Sequence, residues 1–134
     1  MAQVVQAQEL PKAVRDHLIL EAEVYQAEDQ AKTAKAQERK VFRQILREKG
    51  LTKEYQKIVK ELRKLRAEKD LPELIEDKKY RRLRIQKLRI EVQVKGEKAW
   101  IEANEVAKAK AREFREKFKE LRKDFEVSIK PFYL

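Results

Sequence analysis

The chain has 134 residues, and its 34 Lys and Arg against 24 Asp and Glu give a net charge of +10. The absence of cysteine excludes disulfides and thiolate metal sites, and a single histidine, His17, cannot form a multi-histidine metal site. The sequence contains neither a Gly-x-Ser-x-Gly motif nor a glycine-rich phosphate loop. We therefore expect a protein that is not an enzyme, has no catalytic residues, and binds no cofactor, metal or small-molecule substrate.

Membrane contact is not indicated, because the longest apolar run is three residues and the N-terminus has no apolar signal core. Few turn-forming residues are present, 2 Gly and 3 Pro, whereas Lys, Glu, Arg, Ala and Leu abound. We predict an all-α fold with a long N-terminal helix, a small helical bundle and an extended C-terminal tail. Residues 1–50 are expected to form the N-terminal helical arm, acidic and then basic, and residues 51–134 the bundle with its apolar tail.

The first helix is predicted over residues 12–49, about 57 Å at 1.5 Å per residue, with Gly50 as its C-terminal cap. Its middle part has two distinct faces. Alanines share one narrow face with three larger apolar residues: Ala27, Ala31, Ala34, Val41, Phe42 and Ile45. Basic residues fall within about 120° on another face: Lys32, Lys35, Arg39, Arg43 and Arg47.

Thr52 is a candidate N-cap for a second helix over residues 53–69, and Asp70 with Glu73 forms a candidate capping box for a third. The end of this third helix is ambiguous, because residues 83–95 partly alternate apolar with polar side chains. A strand would have no partner, so we favour a helix to about Arg89 and a short extended piece before Gly96.

The last helix is predicted over residues 97–126 from an apolar seam with alternating steps of four and three residues. Its members are Trp100, Asn104, Ala107, Ala111, Phe114, Phe118, Leu121 and Phe125. At this spacing we interpret the aromatic residues as core, and Asn104 as a polar position that can fix the register.

Charge is distributed unevenly along the chain. Residues 1–30 hold 2 basic and 6 acidic side chains, whereas residues 31–69 hold 14 basic and 5 acidic ones. The acidic segment is also apolar at Leu18, Ile19 and Tyr25, which favours pairing of this end of one subunit with the basic surface of its neighbour.

Nucleic acid is the ligand that the basic segment favours, since cations on one helix face can neutralise several phosphates. The candidate phosphate-binding residues on the first helix are Lys32, Lys35, Arg39, Lys40, Arg43 and Arg47. A second basic cluster follows residue 77 and adds Lys78, Lys79 and Arg82. Small residues that would allow close approach of the helix to a phosphate chain or another helix are Ala27, Ala31, Ala34 and Ala36. The alternative interpretation is a solvated basic face.

A cysteine-free, basic all-α chain of this size and thermophile-like composition resembles the major capsid proteins of filamentous double-stranded DNA viruses of hyperthermophilic archaea. The resemblance covers the whole chain but rests on architecture and composition, without a diagnostic motif. It implies a structural subunit of the virion that wraps double-stranded DNA without sequence specificity. The partners it implies are double-stranded DNA, other copies of the chain, and a paralogous capsid subunit.

Two further hypotheses remain open. Long basic helices are equally typical of ribosome-associated or RNA-binding proteins, which would be located in a cytoplasmic ribonucleoprotein. Mixed charge and the heptads of residues 97–126 also suit a coiled-coil scaffold protein that binds no nucleic acid.

Overall fold

The computed structural model describes residues 10–134, and within them every regular element is a helix. The elements are α1 (Lys12–Glu48), α2 (Thr52–Glu68), α3 (Leu71–Glu76), α4 (Lys78–Lys95), α5 (Lys98–Asp124), a π-helix (Phe125–Ile129) and α6 (Lys130–Tyr133). The predicted all-α class and the long N-terminal helix are confirmed for this part of the chain. Glu9, part of the predicted acidic segment, lies outside it.

The turn after α1 is a Schellman motif, as the position of Gly50 predicts. The amide of Leu51 donates to the carbonyl of Leu46 at 2.9 Å, and that of Gly50 donates to Arg47 at 3.0 Å. Gly50 has a φ of +70°, a left-handed conformation that side chains with a Cβ disfavour. The sharp turn places the start of α2 beside the last turns of α1.

Two predicted helix starts differ in detail. Thr52 is the first residue of α2, while Leu51 occupies the N-cap position. Asp70 is the N-cap of α3, but its side chain makes no capping hydrogen bond. The structure also places an unpredicted break at Asp77, whose carboxylate accepts a hydrogen bond from the amide of Tyr80 at 2.9 Å and so caps α4.

The segment after Arg89 is helical to Lys95, so the extended piece expected there is wrong. The pattern was ambiguous because Ile90, Val92 and Val94 are spaced by two residues, as in a strand, while Ile90 and Val94 are four residues apart, as on one face of a helix. Ile90 and Val94 lie four residues apart on one face of α4 and are buried, whereas Val92 is exposed.

The expected extended C-terminal tail is not confirmed, because helical structure continues to Tyr133. The π-helix includes a hydrogen bond from the amide of Lys130 to the carbonyl of Phe125 and buries Ile129. Pro131 lies in the first turn of α6 and, lacking an N–H, donates no hydrogen bond to the preceding helical turn.

Contacts divide the chain differently from the predicted division at residue 50. Residues 36–104 form one compact unit, here called the central unit, and residues 10–35 with 105–134 form the other, the terminal unit. The core of the central unit contains nine buried apolar residues: Ile45, Leu46, Ile58, Leu62, Leu65, Leu74, Leu83, Ile90 and Val94.

The terminal unit consists of the first part of α1 and the C-terminal helices. Fewer of its apolar residues are buried than in the central unit. Val24, Ala27, Ala107 and Ile129 are its buried apolar residues among those described. His17 Nδ1 lies 2.7 Å from Asp124 Oδ2, so this histidine is hydrogen-bonded within the terminal unit. Of the predicted seam, Phe118 and Phe125 are exposed, at 43% and 46%, so the core role expected for these two residues is not confirmed.

Candidate nucleic-acid interface

A groove of about 570 Å³ lies between α1 and α2 of the central unit and has cations on both sides. Arg43 and Arg47 border it from α1, and Lys60 and Arg63 border it from α2. The spacings of four and three residues place each pair on one face of its helix. This surface is called the basic groove below. Its other lining residues are Phe42, Leu46, Thr52, Tyr55, Gln56 and Val59.

No carboxylate lines the basic groove, and its four cations form no ion pair within residues 10–134. By contrast, other lysines of the central unit are paired, as Lys49 is with Glu97 at 2.8 Å. The central unit as a whole has 21 Lys and Arg against 12 Asp and Glu, a net charge of +9. The like charges around the groove repel one another, and a bound anion would relieve that repulsion.

Thr52 adds a polar group to the same groove. Its hydroxyl oxygen is buried and is the one buried side-chain polar atom that lacks a hydrogen-bond partner in the described part of the chain. Buried hydroxyls are normally hydrogen-bonded, so Thr52 is an unsatisfied polar group beside the groove. Thr52 also begins α2, and the positive end of the helix dipole favours negative charge there.

An adjacent hollow has a different electrostatic character because two carboxylates line it. Arg39 and Arg43 border it together with Glu38 and Glu91. Burial raises the pKa of Glu91, but the hydrogen bond from Lys87 and the charges of Lys87, Lys95 and Arg84 outweigh it, so the net pKa lies below the ordinary value. Glu91 therefore stays ionised, and this hollow is less favourable for an anion than the basic groove.

The remaining predicted residues of α1 lie outside the basic groove. Lys32 is in the terminal unit and forms an ion pair with Glu28 at 2.9 Å. The hydrogen bond that Lys32 donates to Glu28 raises the pKa of the lysine. Lys35 is exposed in the same unit, and Lys40 is exposed in the central unit. The structure thus brings Arg43 and Arg47 together, but not all six predicted cations.

The second predicted cluster lies on a separate surface. Lys78 and Arg82 border a shallow hollow on α4 with Arg81, Ile85, Gln86 and Arg89. Lys79 is exposed but does not line this hollow. None of the three lines the basic groove.

The alanines of α1 lie mainly on the buried side of the helix. Ala27 is buried, Ala31 and Ala34 are half-buried, and Ala36 is exposed. The side chain of Ala27 is therefore not accessible to a phosphate chain. Ala107 of α5 is also buried in the terminal unit, so small residues on both helices suit close helix packing.

Sequence reasoning missed Lys60 and Arg63, although both belong to the segment of highest positive charge. A signal was present: a connection of three residues at Gly50 makes α1 and α2 neighbours. Projecting both helices around that turn would have placed the cations of α2 opposite Arg43 and Arg47.

Among the described residues, no group of His, Cys, Asp and Glu could hold a metal ion. No helix in this part of the chain is long and apolar enough to cross a bilayer. Comparison of the chain with models of known protein families, with curated proteins and with solved structures finds no match.

Proposed function

We propose that this protein is a structural, non-enzymatic subunit that coats double-stranded DNA in a helical nucleoprotein filament. The basic groove binds phosphates without reading the base sequence, and Arg39 and Lys40 extend the same positive surface along α1. In the virus family that the sequence resembles, such a subunit belongs to the virion.

The observation that carries the proposal is the arrangement of four cations, without ion pairs, along both borders of one groove. Two rows of cations on two helices suit a chain of phosphates better than one compact anion. Arg43 and Arg47 are separated by about 6 Å along α1 at 1.5 Å per residue. Arginine and lysine contacts to phosphate position a protein on nucleic acid but carry no sequence information.

Assembly into a filament is supported by large apolar side chains that the terminal unit leaves exposed. They are Leu10, Leu18, Ile19, Tyr25, Val106, Phe118, Phe125, Val127, Phe132, Tyr133 and Leu134. Exposed apolar side chains that cluster on a surface commonly mark protein interfaces. We therefore propose that neighbouring copies cover part of this surface.

The proposal is tested by binding of the purified chain to duplex DNA and duplex RNA of the same sequence across a salt series. Electron microscopy of the same mixtures shows whether ordered filaments form. We expect binding to DNA that weakens steeply with salt and filaments whose length follows that of the DNA. A second duplex of unrelated sequence should bind within a factor of about three.

Other outcomes point to the other hypotheses. Tight binding to RNA without filaments on DNA would favour an RNA-binding protein. The absence of binding to either duplex at low salt would leave the scaffold hypothesis and reject the proposed function.

A further inference from the structure

The side of α4 that faces away from the core has a stripe of exposed apolar residues. Ile85, Leu88 and Val92 lie at positions i, i+3 and i+7 and are 51%, 48% and 71% exposed. The core contacts of α4 lie on its opposite side, at Leu83 and Ile90 among others. A helix that is apolar on two sides is suited to pack on two sides.

Positive charge surrounds this stripe. Lys78, Arg82 and Arg89 are exposed on the same side of the helix. Arg81 lies beside them and forms an ion pair with Glu76, whose Oε2 is 3.6 Å from Nη2 of the arginine. This surface, with the stripe, is called the outer face of α4. Its charge repels an identical face, so two copies cannot bring their α4 faces together without a cost.

A stripe of matching spacing lies on the N-terminal part of α1. Leu18, Ala22 and Tyr25 are at positions i, i+4 and i+7, and Leu18 and Tyr25 are 48% and 60% exposed. Glu21 and Asp29 lie beside this stripe. Residues 10–30 hold 5 acidic and 2 basic side chains. Two of these carboxylates are paired within the chain, Glu23 with Lys117 and Glu28 with Lys32. The segment as a whole is therefore acidic, opposite in sign to the cluster on α4. This surface is called the acidic face of α1.

We propose that the acidic face of α1 in one copy docks on the outer face of α4 in a second copy. Each face supplies one apolar helix stripe, and the flanking charges are complementary. The two faces are different surfaces of the same chain, so the contact is heterologous and propagates from copy to copy, forming a ring or an open filament.

The contact is expected to be weak in isolation, because two three-residue stripes bury less surface than a standard stable interface. The inference rests on the proposed filament-forming function, but it is testable without nucleic acid. Its failure is then distinguishable from failure of DNA binding, which is measured separately on the wild-type chain.

The test uses two charge-reversed variants of the full chain and sedimentation velocity at rising concentration and low salt. The first variant, Arg82→Glu with Arg89→Glu, makes the outer face of α4 less basic, and the second, Glu21→Lys with Asp29→Lys, reverses the acidic face of α1. Each variant alone should associate at least tenfold more weakly than the wild type, since the attraction between the two faces is then weakened or turned into repulsion. An equimolar mixture should regain association, because the acidic face of α1 is unchanged in the first variant and the outer face of α4 is unchanged in the second.

Matched control variants reverse equal charge elsewhere. Lys98→Glu with Lys108→Glu, both exposed on α5, should associate as the wild type does. Circular dichroism establishes that each variant is folded, and Val92→Ser, at an exposed position, weakens association without altering charge. A wild type that is monomeric at every concentration, or a mixture that associates no better than its components, would overturn the proposal.

Discussion

The side-chain amide of Asn104 donates a hydrogen bond to the carboxylate of Glu38 at 3.0 Å, joining α5 to α1 within the central unit. Glu38 is only 7% exposed, which makes it the one buried charged residue among those described. Burial of a carboxylate is costly unless hydrogen bonds and opposite charges compensate it. The amide of Asn104 thus supports a charge that the interior would otherwise disfavour.

Replacement of Asn104 by alanine should destabilise the protein, because it removes one donor from the buried carboxylate. We expect the free energy of unfolding to fall by about 1–3 kcal/mol. Chemical denaturation measures it, with Gln93→Ala as a control at an exposed position of α4. Equal stability of the Asn104 variant and the wild type would show that the bond contributes nothing.

Replacement of Gly50 by alanine should also destabilise the protein, since a residue with a Cβ is strained at a φ of +70°. No atom lies within 4 Å of an added Cβ at Gly50, so the cost of about 1 kcal/mol comes from backbone conformation alone. Gly96, with a φ of −80°, is the comparison: there the added Cβ meets the carbonyl oxygen of Val92 at 3.2 Å. Destabilisation of Gly50→Ala with no change in the slope of unfolding against denaturant would agree with this interpretation, and a neutral effect would contradict it.

Stability should fall in acid as Glu91 becomes protonated. Its pKa in the folded protein lies below the ordinary value of 4.5, because Lys87, Lys95 and Arg84 outweigh the effect of burial. A lowered pKa gives stability that is complete above about pH 4.5 and is lost as the pH falls through the folded-state value.

Glu91→Gln should therefore lower the free energy of unfolding at pH 7 by about 1 kcal/mol and flatten its dependence on pH below 4.5. Thermal unfolding from pH 7 to pH 3 measures this dependence. Glu102→Gln is the control, because Glu102 is exposed and lies 3.9 Å from Lys98. An acid profile of Glu91→Gln identical to that of the wild type would refute the assignment.

Much of the fold follows from local sequence. The long α1 and its Schellman turn are predictable because a helix needs only periodic apolar residues, and because the cap needs only Gly50. The break at Asp77 is not, since it depends on the carboxylate bonding both the amide of Tyr80 and the ammonium of Lys69, a residue of the preceding connection. Residues 90–95 could not be assigned from the sequence alone either, because their apolar pattern fits both a strand and a helix. Contacts of Ile90 and Val94 with the core decide for the helix.

The candidate site was predictable only in half. Helical periodicity groups Arg43 with Arg47, but it says nothing of Lys60 and Arg63, which another helix places across the groove. Periodicity also cannot tell which face of α1 other helices cover, so the burial of Ala27 could not be predicted from it. Tertiary packing decides both points.

The salt dependence of DNA binding tests the role of the basic groove most directly. The logarithm of the binding constant is measured against the logarithm of salt concentration for the wild type, for Arg43→Gln with Arg63→Gln, and for the control Lys98→Gln with Lys108→Gln. Loss of two phosphate contacts should flatten the slope by about 1.8 and weaken binding at low salt, while the control keeps the wild-type slope. A groove variant with the slope and affinity of the wild type would contradict phosphate binding in the basic groove.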